Sequence, residues 1–235
     1  MKYYKITVSI MLGVLGVVLS AFNNILGIPT GFGMTVDLAG VPVLIAAFVL
    51  GARYGIYALN VLFLGILFTS PTGFIGGIMK FIATAPLIFV PYFMNKGLLR
   101  GLLLTLAILI ALFSLPALAF TFNQFLGAFL FLLAVVLISY SMGEERISNS
   151  LLAFALAVGV RCVVTVITNI YFAGPLFFKM SPDELIAFVE SIGLPFAKAS
   201  VYAIISFWNI VQSIVEWTIA YYISFYRLKP QVLKT

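Results

Sequence analysis

The residues of this chain best suited to chemistry lie on its last two long apolar runs. Ser206, Asn209, Gln212, Ser213 and Glu216 fall three, four or seven positions apart within the run 201–226, so a helix carries them on one face. Arg161, Thr165, Thr168 and Asn169 repeat the pattern in the run before it. Such groups are costly in hydrocarbon and must face other helices or a water-filled cavity. With the two runs antiparallel and a rise of about 1.5 Å per residue, Arg161 and Glu216 come to the same depth, roughly 15 to 18 Å from one end. An ion pair between them is expected, beneath a more accessible cluster of Asn169, Asn209 and Gln212. Thr165 and Lys80 join that cluster as candidate substrate contacts. This is chemistry for binding, since a neutral amide both donates and accepts. The chain has no histidine and one cysteine, Cys162, which excludes His-based triads, HExxH metalloprotease chemistry and a disulfide framework. No metal site and no cofactor are expected. The plainer reading of both stripes is interhelical hydrogen bonding without a ligand.

The elements that must position these residues are membrane helices. Hydrophobic residues make up 63% of the chain and charged residues 9%, with a mean hydropathy of +1.21. That composition belongs to an integral membrane protein, an all-α polytopic bundle forming a single transmembrane domain over 1–235. Eight apolar segments are read, at roughly 6–26, 38–52, 54–69, 74–94, 98–120, 123–142, 149–172 and 200–226. The second and third are near the lower limit for a crossing. The first is long and lacks a convincing small-x-small cleavage site, so it is taken as a retained helix. Eight crossings put Lys2, Lys5, Arg53, Lys96, Arg100, Arg146, Arg227, Lys229 and Lys234 on one side and only Lys179 and Lys198 on the other. The basic side is cytoplasmic, so both termini are expected there, in the cell membrane. The net charge of +6 is thus topological, and no nucleic-acid partner is expected.

The opposite loops carry more local structure. Residues 23–37, rich in Gly, Pro and Asn, should turn. Ser181-Pro-Asp-Glu184 is a capping box with Pro at the first helical position, predicting a short surface helix to about Ile192, stopped by Gly193 and Pro195. A lid and an interfacial spacer are equally open for it. Phe32 and Met34, with Tyr171 and Phe172, are placed to cover a planar ligand or to anchor the interface.

Several stretches taken in order resemble the substrate-binding S components of energy-coupling factor (ECF) vitamin transporters, closest to the riboflavin-specific branch. They are Val36-Asp-Leu-Ala-Gly-Val-Pro-Val-Leu-Ile45 with Phe48-Val-Leu-Gly51 and Gly55, then Gly76-Gly-Ile-Met-Lys-Phe81. Arg161 through Asn169-Ile-Tyr-Phe172 with Gly174-Pro-Leu176, and Trp208-Asn-Ile-Val-Gln212, complete the set. The resemblance covers most of the chain except 97–148. It implies a six-helix core, in which 98–142 is an inserted helical hairpin, and uptake without catalysis. The chain would bind riboflavin or a related aromatic molecule, while a transmembrane coupling subunit and two ATPases drive release.

Asn169 and Asn209 match positions that hydrogen-bond the flavin in that branch. The sequence departs from the pattern where Gln212 replaces a basic ligand, Gly77 an acidic residue and Lys80 an asparagine. Gly13, Gly16, Ser20 and Asn24 form a small-residue face, and the resemblance assigns Gly16 and Ser20 to the coupling subunit. Packing within the same chain is the equal alternative. Other functional classes weighed are an intramembrane lipid-modifying enzyme using Lys80, Arg161 and Glu216, and a stand-alone facilitator.

Overall fold

The computed structural model describes residues 2–31, 34–70, 73–95, 97, 103–105, 107, 108, 110 and 124–228. It is a helical membrane bundle whose one sheet among these residues is a two-stranded ribbon. Helix α1 (Lys2–Ala21) is followed by a single turn, α2 (Asn23–Leu26), and by the antiparallel strands β1 (Ile28–Pro29) and β2 (Thr35–Val36). Then come α3 (Gly40–Val49), α4 (Ala52–Thr69), α5 (Gly73–Thr84) and α6 (Pro86–Met94). After α7 (Gln124–Ser141), helix α8 (Leu151–Thr168) runs through a π-helical turn at Asn169–Ala173 into the short α9 (Gly174–Phe178). The chain closes with α10 (Pro182–Ile192), α11 (Val201–Tyr222) and a π-helical turn at Ile223–Leu228.

Among the described residues, five stretches are long and apolar enough to span a bilayer: Tyr3–Ala21, Ala52–Thr69, Gly73–Met94, Leu151–Phe178 and Val201–Leu228. Of the two segments read as short, α4 has the length of a span at 18 residues, but α3 has only 10. At 1.5 Å per residue α3 covers about 15 Å, half the hydrocarbon thickness. Val36, Asp37 and Ala39, ahead of the helix, are already buried. Nine of its residues, Gly40 to Phe48, are buried, which explains a helix apolar all round. The third of these stretches, Gly73–Met94, is interrupted between α5 and α6 at Pro86, which has no N–H to continue the ladder of α5.

The hairpin read at 98–142 lies partly outside the described residues. Its second helix, α7, is integral to the core. Phe131 is fully buried, 5.2 Å from the ring of Phe63 and 5.5 Å from that of Phe81. The segment after α7 straps one end of the bundle. Ala52 N–H donates to Glu145 O at 2.9 Å, Ser148 N–H to Pro91 O at 3.3 Å, and Gly143 N–H to the Tyr92 hydroxyl at 2.9 Å. Gly51, with φ of 117°, makes the α3–α4 turn so close to the Glu144 carbonyl that no side chain fits between them. Lys5 and Arg53 pair with the Glu144 carboxylate at this same end, at 3.3 and 3.8 Å.

At the other end α10 has the bounds that its capping box and Gly193 predict. The Ser181 N–H and hydroxyl both donate to Glu184 Oε2, at 2.7 and 2.9 Å, and Gly193 ends the helix with φ of 71°. Leu185 and Val189 seat it on Ile170, Val201, Ile204 and Ile205. The Ser181 backbone bond, followed by the hydroxyl bond, holds the Glu184 carboxyl below its ordinary value of 4.5. The cap therefore contributes fully above the ordinary carboxylate range and is lost as pH falls through the lowered pKa. An NMR titration should place the Glu184 midpoint below 4.5 and return it toward that value in Ser181→Ala.

Candidate functional site

Four charged side chains meet inside the bundle, each delivered by a different element. Arg161, on α8, donates from Nη1 to Glu216 Oε2 on α11 at 2.8 Å. Lys80, on α5, donates to Glu216 Oε1 at 3.0 Å and to Asp37 Oδ1 at 2.7 Å, just ahead of α3. Antiparallel α8 and α11 thus bring Arg161 and Glu216 together, and Lys80 links that pair to a second carboxylate. Two cations and two anions cancel, which is the condition for tolerating such groups away from water. Burial is graded, with side-chain exposure of 13% for Lys80 and 10% for Asp37 against 3% for Arg161 and none for Glu216. Gly40 is part of this arrangement, because a Cβ there would fall on the Glu216 carboxylate.

Asp37 is held from every side. Gln212 clasps its backbone in a two-bond pair, accepting from Asp37 N–H and donating to Asp37 O, both at 2.7 Å. The Asp37 carboxylate accepts from Ala39 N–H at 2.9 Å, turning the chain into α3, and from Asn23 Nδ2 at 3.3 Å. Asn209 is fully buried. Its Oδ1 accepts from Arg161 Nε at 3.1 Å and its Nδ2 donates to Ile205 O at 2.9 Å.

Above this network lies a cavity of about 440 Å³, within the ~300–1,000 Å³ common for small-molecule sites. Lys80, Asp37, Thr165 and Asn169 are among its polar lining residues, and Met34, Ile66, Met79, Phe177, Phe178 and Trp208 among its apolar ones. Asn169 opens the π-helical turn after α8, a distortion that recurs at functional sites. Its Nδ2 donates to Thr165 O at 2.7 Å. Below the network, Trp217 packs on Phe48 and Phe154 with ring centroids 4.9 and 5.0 Å apart, and Phe225 lies 5.6 Å from Phe48. The cavity therefore has a floor of ion pairs resting on aromatic rings.

Thr165, Asn169, Asn209, Gln212 and Lys80 all border this one cavity. The amides of Asn209 and Gln212 are nevertheless committed to protein, so these two position Arg161 and Asp37. Phe32 lies outside the described residues. Of its expected companions, Met34 lines the cavity, whereas Tyr171 is 63% exposed and Phe172 is buried in the core. The aromatic walls come instead from Phe177, Phe178 and Trp208. The small-residue face of α1 is turned into the chain itself. A Cβ at Gly13 would collide with Val61 and Ala58, and one at Gly16 would meet the Ala39 carbonyl at 2.8 Å and Leu62. Ser20, one turn on, lines the cavity. Asp37 is the central residue that pattern reading missed. A charge count would have found it, because two intramembrane cations, Lys80 and Arg161, need a second anion besides Glu216.

Among the described residues no cluster of His, Cys, Asp and Glu could hold a metal ion. Comparison with family models, curated proteins and solved structures gave no match. The class that fold and site define is a multi-pass helical membrane protein with an internal cavity.

Removing one member of the network should expose its balance. Lys80→Met leaves two carboxylates facing one guanidinium and should cost about 3–5 kcal/mol, as for breaking a buried pair. Asp37→Asn added to it restores neutrality and should recover much of the loss, read as thermal denaturation in detergent. Gly40→Ala should destabilise by about 1–3 kcal/mol through overpacking. Gly159→Ala, with nothing within 4 Å of its Cβ, should not destabilise.

Proposed function

We propose that this chain is the substrate-binding membrane subunit of an ECF-type vitamin transporter, taking riboflavin or a related small aromatic molecule. The observation that carries this reading is a ligand-sized cavity closed below by a neutralised ion network and aromatic rings. A closed floor suits a component that captures a molecule from one side and needs outside work to release it. It does not suit a stand-alone facilitator, which requires a continuous path. Asn169 at the π-helical turn offers an amide to a ring carbonyl or nitrogen, and Phe177, Phe178 and Trp208 offer apolar surface to a planar group.

A lipid-modifying enzyme fits less well. Glu216, the carboxylate a general base would require, is enclosed and bound to both Lys80 and Arg161. The energy for release is assigned to a coupling subunit and two ATPases. Because Gly16 is enclosed within the chain, a bulky residue there would disturb the packing of α1 before it touched any partner.

Protein purified from its native membrane should yield one small aromatic molecule per chain on extraction and mass spectrometry. Asn169→Ala should weaken its binding by about 1–3 kcal/mol, the cost of an unmet buried partner, and leave the melting temperature unchanged. Turnover of a lipid substrate by the lone protein would contradict the proposal.

A further inference from the structure

We infer that Phe131, on the second helix of the hairpin read at 98–142, is a positioning residue that holds Lys80 in the ion network from behind helix α5. Helix α5 has two opposed faces. Gly76, Met79, Lys80 and Ala83 line the cavity. Phe74, Gly77 and Phe81, spaced three, four and seven apart, point the other way. On that rear face four aromatic rings close on one another. Phe131 lies 5.2 Å from Phe63 of α4, 5.5 Å from Phe81 and 6.4 Å from Phe74, the last two edge to face. Phe63 in turn lies 6.0 Å from Phe74 and 6.4 Å from Phe81, and a Cβ at Gly77 would press on its ring at 3.0 Å. Phe131, Phe63 and Phe81 are fully enclosed.

The rear face bears on the charges because packing, more than chain continuity, sets where α5 sits. The helix spans 12 residues, opens at Gly73 with φ of 52° and is interrupted at Pro86. Lys80 has to reach Asp37 Oδ1 at 2.7 Å and Glu216 Oε1 at 3.0 Å together, so its stem has little freedom to follow a shift of the helix. Structure around a trimmed core side chain relaxes toward the void. A void at Phe131 opens behind α5, on the side away from both carboxylates. A retreat of α5 by about 1 Å takes both Lys80 bonds past hydrogen-bonding range. Two carboxylates then face one guanidinium, the imbalance the network avoids. The hairpin thus gives α5 a close-packed backing that a fluid lipid chain does not supply.

The full chain in detergent is treated with formaldehyde and borohydride, and methylation of each lysine is followed by peptide mass spectrometry. Bonded to two carboxylates and 13% exposed, Lys80 should react slowly in the unaltered protein. Phe131→Leu should raise its rate about tenfold or more by freeing the amine from its ion pairs. Phe89→Leu, the same cut in buried α6, which carries none of the four charges, should leave the rate unchanged. Thermal melting gives a second readout. Phe131→Leu should cost less than half as many degrees in the Lys80→Met/Asp37→Asn background as in the unaltered protein, whereas Phe89→Leu should cost the same in both. An unchanged Lys80 rate, an equal rise with Phe89→Leu, or equal melting losses for Phe131→Leu in both backgrounds overturns the positioning role. If Phe131→Leu does not fold, Phe131→Met is taken through both readouts, and failure of both to fold overturns the role by making Phe131 a requirement of the whole fold. Neither readout needs a ligand, so either result leaves the transporter reading to its own test.

Discussion

The arrangement depends on one interaction, the neutral cluster of Asp37, Lys80, Glu216 and Arg161. Burying any of these charges alone is prohibitive, and an isolated buried pair barely offsets its own desolvation. The cluster persists because two of its members, Arg161 and Asp37, are also hydrogen-bonded by neutral groups. Arg161 reaches Asn209, Asp37 reaches Ala39 N–H and Asn23, and Gln212 fixes the Asp37 backbone. Other features of the chain follow. Asp37 is buried just ahead of helix α3, whose first residue is Gly because the Glu216 carboxylate occupies the space of a side chain. Four elements are thereby fixed relative to one another at the base of the cavity.

Much of this was legible in the sequence where a single helix carried the signal. Hydropathy marked the spans, the capping box and Gly193 set the two ends of α10, and the depths of Arg161 and Glu216 on antiparallel helices placed them side by side. What was not legible required knowing which segments touch. The pairing of Asp37 with Lys80 joins positions 43 apart, and nothing local in either stretch announces the other. Asn209 and Gln212 show a limit of another kind. Helical spacing put them beside the cavity, but an amide's two polar ends can be used on a ligand or on the protein, and spacing does not distinguish these. The same holds for Gly13 and Gly16, whose small size permits close approach without saying to what. Here α3 and α4 of the same chain fill the gap.

The region after α6 shows composition giving span content without place. Nothing in the run read at 123–142 separated a peripheral hairpin from a core helix, yet Phe131 sits at the centre of the aromatic cluster between α4 and α5. The strap that follows α7 ties the α3–α4 turn to the end of α6 through backbone hydrogen bonds, which no side-chain pattern encodes.

In the function proposed, the ion cluster would give the cavity a floor that is uncharged overall, with apolar and polar groups of the lining above it. The most direct test is an experimental structure of the protein purified with whatever it holds in its native membrane. The account predicts a small molecule in the cavity, against Asn169 and Trp208, with Lys80 still on Asp37 and Glu216. A cavity filled by a lipid chain, or a ligand bound elsewhere with the four charges apart, would contradict it.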